Sequence, residues 1–172
     1  AIQLGQVSTS TNANTYCLDL DGTADYLYHN TPAWNGTDSQ GTIVAWIYSD
    51  DVSSGTQGGA AIFSTSDESP ASTYLRFLMS SANIEVNQRS GGTETGVTGG
   101  TTLSASTWYM VALTSSGTAW NLYVNGVVEG SLTTAGSNNG NWMSDTTSAA
   151  RDNILIGAFK YTSPTDFFNG KI

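Results

Sequence analysis

Three groups of residues in this 172-residue chain have types and spacings suited to chemistry. The first is Asp19, Asp21 and Asp25, gathered around the Asp21-Gly22 turn, with Cys17, Asp19 and Asp21 on one face of an extended segment. Calcium takes carboxylate and carbonyl oxygens of this kind, so Asp19, Asp21 and Asp25 are the expected metal ligands. The competing expectation is a plain Gly turn whose Asp side chains bond their own backbone. The second group is the polar loop Ser137-Asn138-Asn139-Gly140-Asn141-Trp142, with Asp145 beyond it. Such a loop does not need a Trp to fold, and an aromatic ring among amides and a carboxylate suits the apolar face of a sugar. Trp142, Asn141 and Asp145, with Tyr161 and Trp34 from other loops, are the expected glycan-binding residues. The third group, catalytic residues, is poor. Glycoside hydrolysis uses two carboxylates about 5–9 Å apart, whereas Glu68, Glu85, Glu94 and Glu129 are scattered. His29 is the single histidine and ends an alternating segment, so it is expected at the surface rather than in a Ser-His-Asp triad. No catalytic residue is expected. Asp50-Asp51, and Asp145 with Asp152-Asn153, are lesser cation candidates in loops, Asp50-Asp51 reading best as a solvated turn.

The elements that must position these groups are short strands. Charged residues make up 11% of the chain, and Ser, Thr, Gly and Asn stand where a helical protein would carry Glu, Lys and Ala. With 38% hydrophobic residues the chain can bury a core, and its length fits one domain. The net charge of −9 and the five dispersed Lys and Arg argue against nucleic acid, which needs clustered cations. No apolar run reaches the roughly 20 residues of a membrane helix. Cys17 is alone, so no internal disulfide or thiolate zinc site is possible, and its apolar strand context predicts a buried thiol. The chain opens at Ala1 without a charged-then-apolar leader, which suggests a removed leader or a clipped initiator Met.

The pattern predicts strands at Tyr16–Leu20, Asp25–His29, Thr42–Ser49, Ala60–Ser64, Thr73–Met79, Ala82–Gln88, Thr107–Ser115, Ala119–Val124, Val127–Leu132 and Asn153–Ala158, with a last one beginning at Phe167-Phe168. Ser90–Gly100 and Thr133–Asp152 read as loops. Asn125-Gly126 predicts a two-residue hairpin, because a type I′ turn needs positive φ at both positions. Thr42–Ser49 is apolar on both faces and reads as a central strand; Trp46, Trp108 and Trp120 have apolar neighbours at i±2 and are assigned to the core. About ten or eleven strands and no helix predict an all-β fold, a two-sheet antiparallel β-sandwich over residues 1–172 as a single domain.

Four pieces resemble a known family. Leu18-Asp19-Leu20-Asp21-Gly22 with Asp25-Tyr26-Leu27 forms one, and Thr42 to Ile47 another. Trp108 to Thr114 with Leu122-Tyr123-Val124-Asn125-Gly126 is the third, and Ile154 to Gly157 with Phe168 to Ile172 the fourth. In this order they resemble the laminin G/pentraxin-like (LamG-like) jelly-roll domains of the concanavalin A-like lectin/glucanase superfamily. Tyr109 and Met110 stand where that family carries paired imidazoles, and the E-x-D-x-x-E strand motif of its glucanases is missing. The resemblance implies a structural calcium with a ligand near the final strand. It also implies an acidic residue and a final strand after Ile172, so a C-terminal strand is expected to be lacking, leaving an edge open for assembly.

The expected function is a non-catalytic recognition module binding carbohydrate or a surface partner through edge loops. The alternative is a structural virion component, a capsid decoration, fibre or tail protein, that uses the jelly roll for assembly or host adhesion; a glycoside hydrolase ranks third. Expected partners are a glycan or a neighbouring structural protein, with a homo-oligomer as a further form, and neither nucleic acid nor membrane insertion. The expected location is extracellular or on a virion surface.

Overall fold

The computed structural model describes residues 16–30, 38–53, 59–68, 73–143 and 153–172, so Trp34, Asp145 and Asp152 lie outside the described residues. One sheet has six strands in the order β1 (Asp19–Asp21), β15 (Asn169–Lys171), β3 (Gly41–Ser49), β8 (Trp108–Ser115), β9 (Trp120–Val124) and β10 (Val127–Val128). The other has seven: β11 (Thr133–Ala135), β7 (Thr95–Thr98), β6 (Asn83–Ser90), β5 (Thr73–Ser80), β4 (Ala60–Ser66), β12 (Asn153–Ile156) and β2 (Leu27–Asn30). A separate ribbon pairs β13 (Phe159–Lys160) with β14 (Pro164–Thr165). Every pairing is antiparallel. The all-β, two-sheet antiparallel sandwich expected from the strand pattern is the fold, and among the described residues no helix is long and apolar enough to cross a membrane.

The core lies between the sheets. Leu75, Phe77 and Met79 of β5 and Ile84 and Val86 of β6 face Ile47 of β3, Val111 and Leu113 of β8, and Trp120 and Leu122 of β9. Burying a side chain of this size contributes about 1.5–3 kcal/mol, which makes this layer the main source of stability. The alternation of each strand decides which residues join it, because a strand sends successive side chains to opposite faces.

Two stretches read as loops contain strands: β7 lies inside Ser90–Gly100, and β11 inside Thr133–Asp152. Both are short, weakly apolar strands at the margin of the seven-stranded sheet, held by the ladder Thr133↔Thr98 to Ala135↔Gly96. Thr/Gly sequences carry little hydrophobic signal, and only pairing makes them strands. Cys17 is exposed rather than buried, since it precedes β1 and lies outside the core layer. The C-terminal segment is not at an edge. β15 lies between β1 and β3, and Leu18 and Ile172 exchange backbone hydrogen bonds of 2.9 and 3.1 Å.

The Asn125-Gly126 hairpin is as expected, with φ of 51° and 80° and Val127 opposite Val124. A second two-residue turn joins β5 to β6 at Ser81-Ala82, with φ of 48° and 66°. Ala82 has no side-chain oxygen to ease the left-handed conformation, which costs an ordinary L-residue about 1–2 kcal/mol. Ala82→Gly is therefore expected to stabilise the protein by about 1 kcal/mol, a rise of about 2–4 °C in Tm for a chain of this size. Thermal unfolding followed by circular dichroism checks this; an unchanged or lower Tm counts against the turn geometry.

Candidate functional site

The aspartate turn forms as a turn. Asp21 Oδ1 accepts the backbone N–H groups of Thr23 and Ala24, both at 2.8 Å, and of Asp25 at 3.1 Å, while Oδ2 accepts the Thr23 hydroxyl at 2.7 Å. These four donors, Ala24 N–H first, hold the Asp21 carboxyl far below the ordinary carboxylate range. Asp19 instead pairs with Lys171 at 3.1 Å, and Asp25 is exposed. Among the described residues no three acidic, His or Cys side chains are placed to hold a metal ion. Of the expected calcium ligands, Asp21 thus spends its carboxylate on the turn and Asp19 on Lys171. Asp51 is likewise occupied, by the Ser53 N–H and hydroxyl, both at 2.7 Å.

The asparagine loop closes the sandwich instead of opening it. Asn138 acts as a one-residue strand beside β9, its Oδ1 accepting Trp120 N–H at 2.7 Å and its Nδ2 donating to Trp120 carbonyl at 3.1 Å. Asn141 accepts from Trp120 Nε1 at 3.0 Å through its backbone carbonyl and donates from Nδ2 to Gln88 at 3.3 Å, so it ties the two sheets together. Gly140, at φ +67°, brings the loop so close to β9 that a Cβ there would meet Ala119 N at 2.2 Å. Trp142 is 4% exposed and belongs to the core, packed over Gly41. Trp142 is therefore part of the core where an exposed sugar platform was expected, and Asn141 spends its side-chain amide on Gln88. The loop carries a Trp because that end of the core needs a lid.

The exposed tryptophans are elsewhere. Trp120 is buried as expected, but Trp46 is 60% and Trp108 43% exposed. Both lie on the outer face of the six-stranded sheet, where Tyr48 stands opposite Trp108 and Trp46 opposite Met110. Val44 and Val128 extend this apolar face. A strand apolar on both sides reads as central, yet in a two-layer sandwich only one of its faces is covered.

Tyr161 lines a pocket. After β12 the chain leaves the seven-stranded sheet and folds the β13–β14 ribbon back over the outer face of β4 and β5. Hydroxyls of β4 fasten it: Ser64 Oγ donates to Ala158 carbonyl at 2.8 Å, and Ser66 Oγ donates to Lys160 carbonyl. Lys160 adds an ion pair to Glu68 at 2.8 Å. The ribbon's Phe159 and Tyr161 pack edge-on against Tyr74 of β5, with centroids 5.4 and 5.6 Å from its ring. Between them and the segment Thr162–Asp166 is a cavity of about 390 Å³, within the usual range for small-molecule sites.

Arg76 of β5 forms its floor. The guanidinium carbon sits 5.0 Å from the Tyr74 centroid and 4.9 Å from that of Phe159, cation–π distances. It pairs with Glu94 at 3.2 Å and Asp166 at 3.0 Å, and Tyr74 Oη donates to Glu94. Asp166 is buried and holds φ of 52°, its carbonyl accepting Ala61 N–H at 2.9 Å. Burial pushes the Asp166 carboxyl above its ordinary range, and Arg76 pulls it part of the way back. Burial, then the bond to Glu94, drives the Tyr74 phenol well above its usual range, so it stays a neutral donor. Asp166 Oδ1 and Arg76 Nε have no hydrogen-bond partner among the described residues. Arg76, Glu94 and Asp166 meet from three distant segments, and nothing in their spacing signals the meeting. The alternation of Thr73–Met79 does place Arg76 on the face opposite Leu75 and Phe77, which was the available clue. Glu129, by contrast, is a structural acceptor for the Thr101 N–H at 2.8 Å and hydroxyl at 2.7 Å, and His29 is exposed as expected.

Two measurements test these placements. Because the Asp21 carboxyl is depressed in the fold, its contribution to stability is present above the ordinary aspartate range and is lost as pH falls below it. Asp21→Asn is expected to lower Tm at neutral pH, equally in calcium chloride and in EDTA, and the difference from wild type should shrink as the solution is acidified. A loss confined to calcium-containing buffer would restore the metal reading. Gly41→Ala would put a Cβ 2.5 Å from Trp142 Nε1, and overpacking of this kind costs about 1–3 kcal/mol; urea unfolding measures it.

Residues 21–172 match the family model described as the concanavalin A-like lectin/glucanases superfamily. A search among curated proteins returns no significant sequence match. Among solved structures, domains LG4-5 of the mouse laminin alpha1 chain align with TM-score 0.57 at 12% identity, over 82% of this chain and 34% of that one. The LG1-3 region of the laminin alpha2 chain aligns with TM-score 0.60 at 15% identity, over 88% and 29%. A heptameric SAP-like pentraxin from Limulus polyphemus aligns with TM-score 0.57 at 16% identity, over 89% and 70%. This chain thus spans about a third of the laminin chains it resembles, and at these identities the likeness is one of fold. With the family model covering nearly the whole sandwich, this chain belongs to the concanavalin A-like lectin/glucanase superfamily, as a laminin G-type domain.

Proposed function

We propose that this domain is a non-catalytic recognition module that binds carbohydrate in the pocket between β5 and the β13–β14 ribbon, at an extracellular or virion surface. The observation that carries this reading is the pocket itself. It is an open cavity with aromatic walls, Tyr161 partly exposed at its rim, and an ion pair at its base. Sugar recognition uses this combination of an aromatic plane for C–H faces and fixed polar groups for hydroxyls. The non-catalytic part rests on the carboxylates. Glu94 and Asp166 share one guanidinium instead of facing each other across a gap, and Glu68 and Glu129 hold structural partners.

A second reading is favoured by a different observation. The apolar face around Trp46 and Trp108, bordered by the Lys171–Asp19 ion pair, is the kind of patch that marks a protein contact. Docking a neighbouring structural protein there, or another copy of this chain, is the assembly alternative.

A glycan array probed with wild type and with Tyr161→Ala tests the first reading. Removal of a stacking ring is expected to weaken binding about tenfold, by analogy with an aromatic contact's ~0.5–1.5 kcal/mol beyond area burial. The glycans should be recovered uncleaved. A blank array from folded protein would sink the carbohydrate reading and leave the apolar face as the place to look.

A further inference from the structure

The outer face of the six-stranded sheet is apolar on a chain that is acidic as a whole. Tyr48 stands beside Trp108, Trp46 beside Met110, and Val44 in one row with Ala112 and Tyr123. Val44, Trp46 and Trp108 are exposed. The outward residues of β3, β8, β9 and β10 carry no charge. The charges of this face gather at one corner, where β1 and β15 meet the end of β3. Lys171 pairs there with Asp19 at 3.1 Å and lies 5.5 Å from the Tyr48 ring centroid. The Asp50 carboxylate acts on the same ammonium, and Asp21 follows along β1.

The face has the size an interface needs. Its central strands, β3 and β8, are nine and eight residues long. At about 3.4 Å per residue along a strand and about 4.8 Å between strands, the sheet presents a footprint of about 500 Å². Two such faces in contact bury about 1,000 Å² before the relief of the side chains is counted, the area at which specific association begins. Facing sheets pack with their strands within about 30° of each other, so one flat sheet accepts another.

Charge selects the occupant. With a net charge of −9, the chain steers a basic partner to its carboxylates, which lie away from the centre of this face. A partner as acidic as the chain approaches best where charge is missing. A second copy is such a partner, and it brings the same uncharged centre.

Resting on the assembly reading above, we infer that the chain forms a two-fold dimer by stacking this face on the same face of a second copy, with Val44, Trp46 and Met110 of each near the axis. An axis in the plane of contact, running between β3 and β8, lays β3 of one copy over β8 of the other. It carries the charged corner of each copy to the uncharged β9–β10 side of its partner, so the two corners do not meet.

Sedimentation equilibrium of the whole chain, from micromolar to millimolar concentration, reads the dimer directly. A monomer–dimer equilibrium is expected. It should tighten as sodium chloride is raised, because salt screens the repulsion between two acidic molecules and leaves apolar contact in place. Trp46→Arg is expected to weaken the dimer at least about tenfold, since a central Trp is lost and each substitution enters the interface twice. Val44→Lys should do the same. Both positions are exposed, so circular dichroism is expected to show the fold unchanged. A dimer that survives both substitutions would lie elsewhere and overturn the inference. A chain that stays monomeric at millimolar concentration would overturn it too. Acrylamide quenching, compared between wild type, Trp46→Phe and Trp108→Phe, separates that failure from failure of the assembly reading. Rings open to quencher in a monomer leave the face free for a different protein, whereas rings shielded in a monomer would end both.

Discussion

A two-layer sandwich buries one face of each sheet, and the fate of the other two faces governs this molecule. The inner faces are filled by Phe77, Trp120, Leu122 and their neighbours, and supply most of the stability through apolar burial. The two outer faces are treated differently. On the seven-stranded sheet, β4 and β5 are buried on both sides, because the β13–β14 ribbon lies across them and carries Phe159 and Tyr161 down onto Ala61 and Tyr74. On the six-stranded sheet nothing among the described residues covers Trp46, Trp108 and Val44. The covered face makes a pocket; the open one makes a flat apolar surface.

Covering an outer face creates a polar problem. Arg76 points outward from β5 and is caught beneath the ribbon. A buried cation without partners costs several kcal/mol, so the ribbon and the Ser90–Gly100 segment each bring a carboxylate to it, Asp166 and Glu94. The two rings on either side keep water from the guanidinium while offering their π faces. Such an arrangement is weak evidence for stability, since buried pairs often only break even against an apolar replacement. It does fix where the ribbon sits, and with it the geometry of the cavity. The unmatched Asp166 Oδ1 and Arg76 Nε follow from a network that satisfies its charges but not all of its hydrogen bonds.

Elsewhere, polar side chains finish what the strands leave open. Asn138 completes the ladder beside Trp120, Asp21 gathers three backbone N–H groups into a turn, and Glu129 takes both donors of Thr101. Asn125 adds its side-chain oxygen to the Met110 N–H across the hairpin. Each of these residues is of a type that also builds binding sites, and each is used up by the backbone. In a chain so rich in Asn, Asp, Ser and Thr, an oxygen-rich loop is first of all a way to satisfy buried or half-buried N–H groups.

The sequence by itself determined the fold class, most strand positions and the Asn125-Gly126 hairpin, because these depend on period-two alternation and on φ preferences that act within a few residues. It also placed Trp120 in the core and His29 at the surface. Tertiary structure decided which apolar face of Thr42–Ser49 is covered, and so exposed Trp46 and Trp108; alternation marks two faces but cannot say which meets another sheet. It decided that Trp142 is a lid for the core, since only the folded chain brings Gly41 beneath it. It turned the Asp21 carboxylate onto the backbone N–H groups of its own turn, an outcome that hangs on where those groups point. Above all it assembled the pocket. Arg76, Glu94, Tyr161 and Asp166 are as far as 90 residues apart in sequence, and their meeting depends on a ribbon folding back over a sheet, which no local pattern encodes.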